Sequence, residues 1–98
     1  MAAVRHVYVV MYDISSPRSL RRVHRILTEW GAPVQYSVFR VRATMSQFEQ
    51  LRYELVSIVA PTDRLFYVRL CRGCAGRATG DGRPLAEWTV EAPDYHID

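Results

Sequence analysis

The sequence predicts an α+β domain in which one sheet carries two helices on one of its faces. Three observations lead there. Segments of β-branched and aromatic character alternate with segments whose apolar residues recur at helical spacing, in the order strand, helix, extended pair, helix, strand. The chain has 98 residues, room for a single domain at roughly 150 residues each. With 49% apolar and 23% charged residues, it has the composition of a folded globule rather than of a disordered or collagen-like chain.

Residues 4–12 (VRHVYVVMY) read as a buried strand that ends at Asp13. Ser15 or Ser16 caps the helix that follows, Pro17 suits its first turn, and Leu20, Val23, Ile26, Leu27 and Trp30 recur at helical spacing until Gly31 stops it. Residues 33–43 (PVQYSVFRVRA) are extended, either as one long strand or as two short ones broken by a bend near Phe39 and Arg40. Thr44 with Gln47, or Ser46 with Glu49, makes a capping box for a second helix, whose apolar stripe is Phe48, Leu51, Leu55, Ile58 and Val59. Pro61, in residues 60–63, closes that helix, and residues 64–71 (RLFYVRLC) form the next strand. Gly73, Gly76, Gly80 and Gly82 mark residues 72–84 as a mobile loop, and a short strand around Trp88 and Val90 opens the C-terminal stretch of residues 85–98.

This is the split βαβ order of the ferredoxin-like fold, βαββαβ, with an extra C-terminal strand and a core over about residues 4–71 of one domain, 1–98. The first strand is apolar on both faces, with Tyr8, Val10 and Tyr12 on one and Val7, Val9 and Met11 on the other. The sheet face without helices therefore needs a cover, and a homodimer is the economical one.

Charge is distributed unevenly. Residues 1–42 hold seven Arg against Asp13 and Glu29, a balance of +5, while residues 43–98 come to −2. All thirteen basic residues are Arg, whose planar fork grips phosphate through two hydrogen bonds. Arg18, Arg21, Arg22 and Arg25 fall within an arc of about 100° on the first helix, nearly opposite its apolar stripe. They form a basic row suited to a phosphate backbone, with Arg40 and Arg42, which share strand parity, extending it from the sheet. The expected partner is nucleic acid, held without reading its sequence. Met1 to Val10 carries Arg5 and His6 where a signal peptide needs a longer apolar run, and no stretch spans a membrane, so a cytoplasmic location is expected.

Asp13 stands where the first strand turns into a helix, a place where α/β sheets put ligands and also where a turn residue belongs. As a ligand it suits Mg²⁺, which accepts one or two carboxylates and keeps its waters. Glu29 lies at the far end of the helix, so a second carboxylate has to come as Asp13 from another protomer, which two-fold symmetry supplies. Cys71 and Cys74 form a single CxxC without further ligand spacing, and Cys71 ends a strand rather than starting a helix, which argues against a metal or redox role. No GxSxG, P-loop or GxGxxG occurs, which excludes the hydrolase and nucleotide-binding sites those motifs build. Tyr36 and Phe39 are three apart and point to opposite faces, unlike the paired aromatics of a sheet that stacks RNA bases.

The strings VYVVMYDIS (Val7 to Ser15) and VQYSVFR (Val34 to Arg40), with the Arg-rich helix between them, resemble the CRISPR-associated protein 2 family over roughly residues 7–71. The Leu-Cys-x-x-Cys end of the fourth strand also occurs there. The resemblance implies a homodimer in which the C-terminal strand joins the partner's sheet and Asp13 from each protomer lies near the two-fold axis around one catalytic Mg²⁺. It implies either a metal-dependent endonuclease acting on RNA or DNA, or a non-catalytic scaffold that binds duplex DNA and bridges dimers of the CRISPR integrase, CRISPR-associated protein 1, in spacer acquisition. Tyr12, Ser15 and Phe39 match motif positions that shape the site. Arg40 departs from a position that is often acidic in the family, so no role for that acid carries over.

Overall fold

The computed structural model describes residues 4–79 and Asp81, and the expected strand at residues 85–92 lies outside them. Strand β1 (His6–Asp13) leads into helix α1 (Pro17–Trp30), then β2 (Gly31–Gln35), β3 (Val38–Ala43), α2 (Met45–Val56), β4 (Arg64–Leu70) and a short helix α3 (Arg72–Gly76). The sheet runs in the order β2-β3-β1-β4 with every neighbouring pair antiparallel, the ferredoxin-like arrangement expected from the sequence.

Capping chemistry fixes where each helix starts. Ser16, not Ser15, caps α1 by accepting a hydrogen bond from the Ser19 amide, and Pro17 occupies the first turn. At α2 the box is Thr44 with Gln47: the Thr44 hydroxyl accepts from the Gln47 amide at 3.1 Å, and the Gln47 side chain accepts from the Thr44 amide at 2.9 Å. Gly31 ends α1 and begins β2 with no intervening loop. Its backbone is extended, so the need for glycine is one of space: a β-carbon there would run into the backbone carbonyl of Arg40 on β3.

The core lies between the sheet and helices α1 and α2. Tyr8, Val10 and Tyr12 of β1 and Phe39, Val41 and Ala43 of β3 pack against Val23 and Leu27 of α1 and Phe48, Leu51 and Leu55 of α2. Tyr8 stacks on Phe48 at 3.8 Å, and Phe48 meets Tyr67 edge-on at 5.3 Å. In the expected α1 stripe, Ile26 and Trp30 are half-buried, whereas Leu20 is 38% exposed. The sheet face opposite α1 and α2 carries Val9, Met11 and Val68 half-buried and Phe66 59% exposed.

Three expectations require correction. Residues 33–43 form two strands, and the break lies at Tyr36 and Ser37 rather than near Phe39 and Arg40. Both ends of that turn are tied to β1, since the Tyr12 amide donates to the Ser37 carbonyl at 3.1 Å and the Tyr12 hydroxyl to the Tyr36 carbonyl at 3.1 Å. Second, the glycine-rich stretch starts as helix rather than loop: α3 packs against β1 and β4 and buries Ala75, while Gly80 and Gly82 fall outside the described residues. Third, Cys71 follows β4 and caps α3, so it does start a helix.

Candidate metal centre and nucleic-acid surface

Alternation along β1 decides where Asp13 goes. With Tyr8, Val10 and Tyr12 committed to the core, Val9, Met11 and Asp13 take the opposite face, and Asp13 ends up exposed at the strand's carboxyl end. The β4 register sets it opposite Arg64. Met11, Tyr12, Asp13, Arg64 and Phe66 line one shallow depression of about 340 Å³. A carboxylate and a guanidinium thus share a pocket with the apolar side chains of Met11 and Phe66.

The loop between Asp13 and α1 is held by Asp63, from the turn that follows α2. One carboxylate oxygen of Asp63 accepts from the Ser15 amide at 3.2 Å, and the other accepts from the Ala60 amide at 2.9 Å. Asp63 therefore ties the turn before β4 to the turn after β1 and sets the path of the chain just past Asp13 and just before Arg64. Its position in the Pro-containing turn Pro61-Thr62-Asp63 ahead of a strand, where Asp is a common turn residue, was the available signal.

Tyr12, Ser15 and Phe39 act around this site by different means. Tyr12 is buried, and its phenol is pushed above its ordinary pKa by that burial, which keeps it neutral and donating to the Tyr36 carbonyl. Phe39 is wholly buried, with its ring 6.3 Å from that of Tyr12 and edge-on to His24 at 5.4 Å, so it supports the site from beneath and does not line it. Ser15 contributes its backbone amide to Asp63.

Arg18, Arg21, Arg22 and Arg25 are all exposed on α1, on the side away from buried Val23 and Leu27, and the row begins five residues after Asp13. Arg40 and Arg42 do not extend it. Phe39, Val41 and Ala43 take the helix side of β3, which sends Arg40 and Arg42 to the opposite face, where they line a separate depression with Arg5 and Trp30. Arg40 is only 9% exposed. Their shared parity was legible, but they share it on the side away from α1.

Asp13 offers hard oxygen ligands at an exposed position, the donor chemistry Mg²⁺ prefers. Among the described residues no group of three or more His, Cys, Asp or Glu that could hold a metal ion comes together. The same residues include no helix long and apolar enough to cross a membrane.

Residues 6–78 match the family model of CRISPR associated protein Cas2. The chain belongs to the Cas2 family. The resemblance carried by VYVVMYDIS and VQYSVFR thus holds over most of the sequence. Among its relatives, "CRISPR-associated endoribonuclease Cas2 2" of Methanospirillum hungatei is 31% identical over 72% of this chain and 80% of that protein. A Cas2 endoribonuclease of Nitrosomonas europaea is 39% identical over 67% of this chain and 59% of its own length. Streptococcus pyogenes Cas2 superposes with a TM-score of 0.70 at 27% identity, covering 78% of this chain and 99% of that one. A chain of a partial Cas6-RT-Cas1–Cas2 complex shares the Cas2 fold with a TM-score of 0.68 at 22% identity, over 84% and 98%.

Proposed function

We propose that this chain is a dimeric CRISPR-associated nuclease of the spacer-acquisition machinery, hydrolysing phosphodiester bonds of RNA or DNA with Mg²⁺ held between Asp13 and Asp13 of the partner subunit. The observation that carries this reading is the exposed Asp13 sharing one pocket with Arg64, with the exposed Arg18, Arg21, Arg22 and Arg25 row beginning five residues farther along the chain. Two of the relatives compared are named endoribonucleases, which agrees with it. The apolar face opposite α1 and α2, with Phe66 59% exposed beside Asp13, favours a second copy that brings two Asp13 side chains together.

In this arrangement the α1 arginines hold the phosphate backbone, Arg64 faces the phosphate nearest Asp13, and Asp63 fixes the loop that presents Asp13. A bound Mg²⁺ supplies Lewis-acid stabilisation of charge on the phosphate. The test compares wild type with Asp13→Ala on labelled single- and double-stranded RNA and DNA, in Mg²⁺ or EDTA, scoring binding and cleavage in the same samples. Cleavage that needs both Mg²⁺ and Asp13 supports the reading and names the substrate.

The scaffold reading, in which the dimer binds duplex DNA and bridges integrase dimers, is favoured by the same pocket's content. Among the described residues Asp13 is its single acid, and the one other acidic proton, on Tyr12, is committed to the Tyr36 carbonyl. Equal binding by both proteins with no cleavage by either selects that reading.

A further inference from the structure

The CxxC at the end of β4 takes no part in the site above, yet its geometry is specific. Cys71 caps α3, and its sulfur accepts a hydrogen bond from the Cys74 amide at 3.2 Å, which brings Cys71 Sγ directly over the residue that carries the second thiol. The turn is closed by the Ala75 amide donating to the Cys71 carbonyl at 2.9 Å. A turn of this kind holds the first and fourth α-carbons within about 7 Å, the upper end of the span a disulfide bridges. Both cysteines are free and exposed.

The two sulfurs are unequal. The Cys74 amide and, more weakly, the Arg77 guanidinium stabilise a Cys71 thiolate and lower that thiol's pKa, whereas the neighbouring Cys71 sulfur raises that of Cys74. Arg77 is held near by its own amide, which donates to the Gly73 and Cys74 carbonyls at 3.1 and 3.2 Å. Its guanidinium lies over Gly73, in the space a side chain there would enter. The result is an attacking sulfur beside a resolving one.

We propose that Cys71 and Cys74 form a reversible dithiol–disulfide couple, closed by exchange with a low-molecular-weight disulfide of the glutathione class. The Cys71 thiolate attacks one sulfur of that disulfide, forming a mixed disulfide and releasing one small thiolate, which takes up a proton. Cys74 then loses its proton and attacks the Cys71 sulfur, closing the intramolecular bond and expelling the second small thiol. Two protein thiols are oxidised by two electrons, and one small disulfide is reduced to two thiols.

The test incubates the full chain at pH 7 with graded ratios of reduced and oxidised glutathione, quenches with a maleimide and reads masses of intact chain and peptides. The expected product lacks two hydrogens, carries no glutathione and has lost both thiols together. Cys74→Ser stops at a stable glutathione adduct on Cys71, while Cys71→Ser reacts more slowly. Both positions are exposed, so neither variant disturbs the core. Adducts forming as readily on Cys74 as on Cys71, chain-to-chain crosslinks as the main product, or thiols shielded from maleimide until a zinc chelator is added would each overturn the proposal.

Discussion

Neutralising the α1 arginine row tests the nucleic-acid surface quantitatively. The helix advances 1.5 Å per residue, so Arg18 to Arg25 spans about 10 Å. That is the rise of about three phosphates along one strand of a duplex. Replacing Arg18, Arg21, Arg22 and Arg25 by Gln keeps helix propensity nearly constant and removes about three phosphate contacts per chain. At about 0.9 per contact, the slope of log affinity against log salt becomes shallower by about 2.7 for each chain whose row lies on the duplex. For one such chain, wild-type binding then falls roughly 40-fold more than that of the variant between 50 and 200 mM salt, and for two the factor is squared. Fluorescence anisotropy of a labelled duplex over a salt series measures this directly, with circular dichroism confirming the fold. Arg42→Gln, on the opposite face, is the control and leaves the slope within about 0.5. An unchanged slope in the quadruple variant, or an equal change from Arg42→Gln alone, would refute the assignment of the row.

Asp63→Ala removes a carboxylate that accepts two backbone amides across the Asp13 loop; we expect a loss of about 2 kcal/mol, read as a fall in Tm of roughly 8–16 °C, with slower cleavage at intact duplex affinity. Gly31→Ala drives a β-carbon into the Arg40 carbonyl and should cost about 1–3 kcal/mol in urea unfolding, with α1 or β2 displaced. Burial raises the phenol pKa values of Tyr8, Tyr12 and Tyr67, so the stability that goes with their neutral forms is complete below the ordinary phenol value near 10 and is lost as pH rises through the folded values. Thermal melts should therefore drop above pH ~10, and Tyr12→Phe, which forfeits about 1 kcal/mol with its bond to the Tyr36 carbonyl, should flatten that drop.

Local chemistry wrote the helices and the strand order plainly. Ser16 with Pro17 and Thr44 with Gln47 are caps readable from a few neighbouring residues, and the alternation of Tyr8, Val10 and Tyr12 with Val9 and Met11 is visible in the string itself. The Tyr36–Ser37 turn was harder to see, because it contains no Gly, Pro, Asn or Asp and is imposed by Tyr12 through contacts some two dozen residues distant. Asp63 was legible as a turn residue, but its bond to Ser15 was not, since it spans 48 residues. For Arg40 and Arg42, alternation gave the pairing, but the side of the sheet depends on where α1 packs. The α3 turn defied propensity. Two of its five residues are glycine, and it forms because Cys71 caps it and Ala75 finds a buried seat against the sheet.

The claim that each chain brings half of a metal site is tested by mixing subunits. Wild type and Asp13→Asn are combined in varied proportion, allowed to exchange, and assayed for Mg²⁺-dependent cleavage. If both Asp13 side chains of a dimer are required, activity follows the square of the wild-type fraction and falls to about one quarter in an equal mixture. A linear fall to about one half, or cleavage that persists in Asp13→Asn alone, would contradict the shared site.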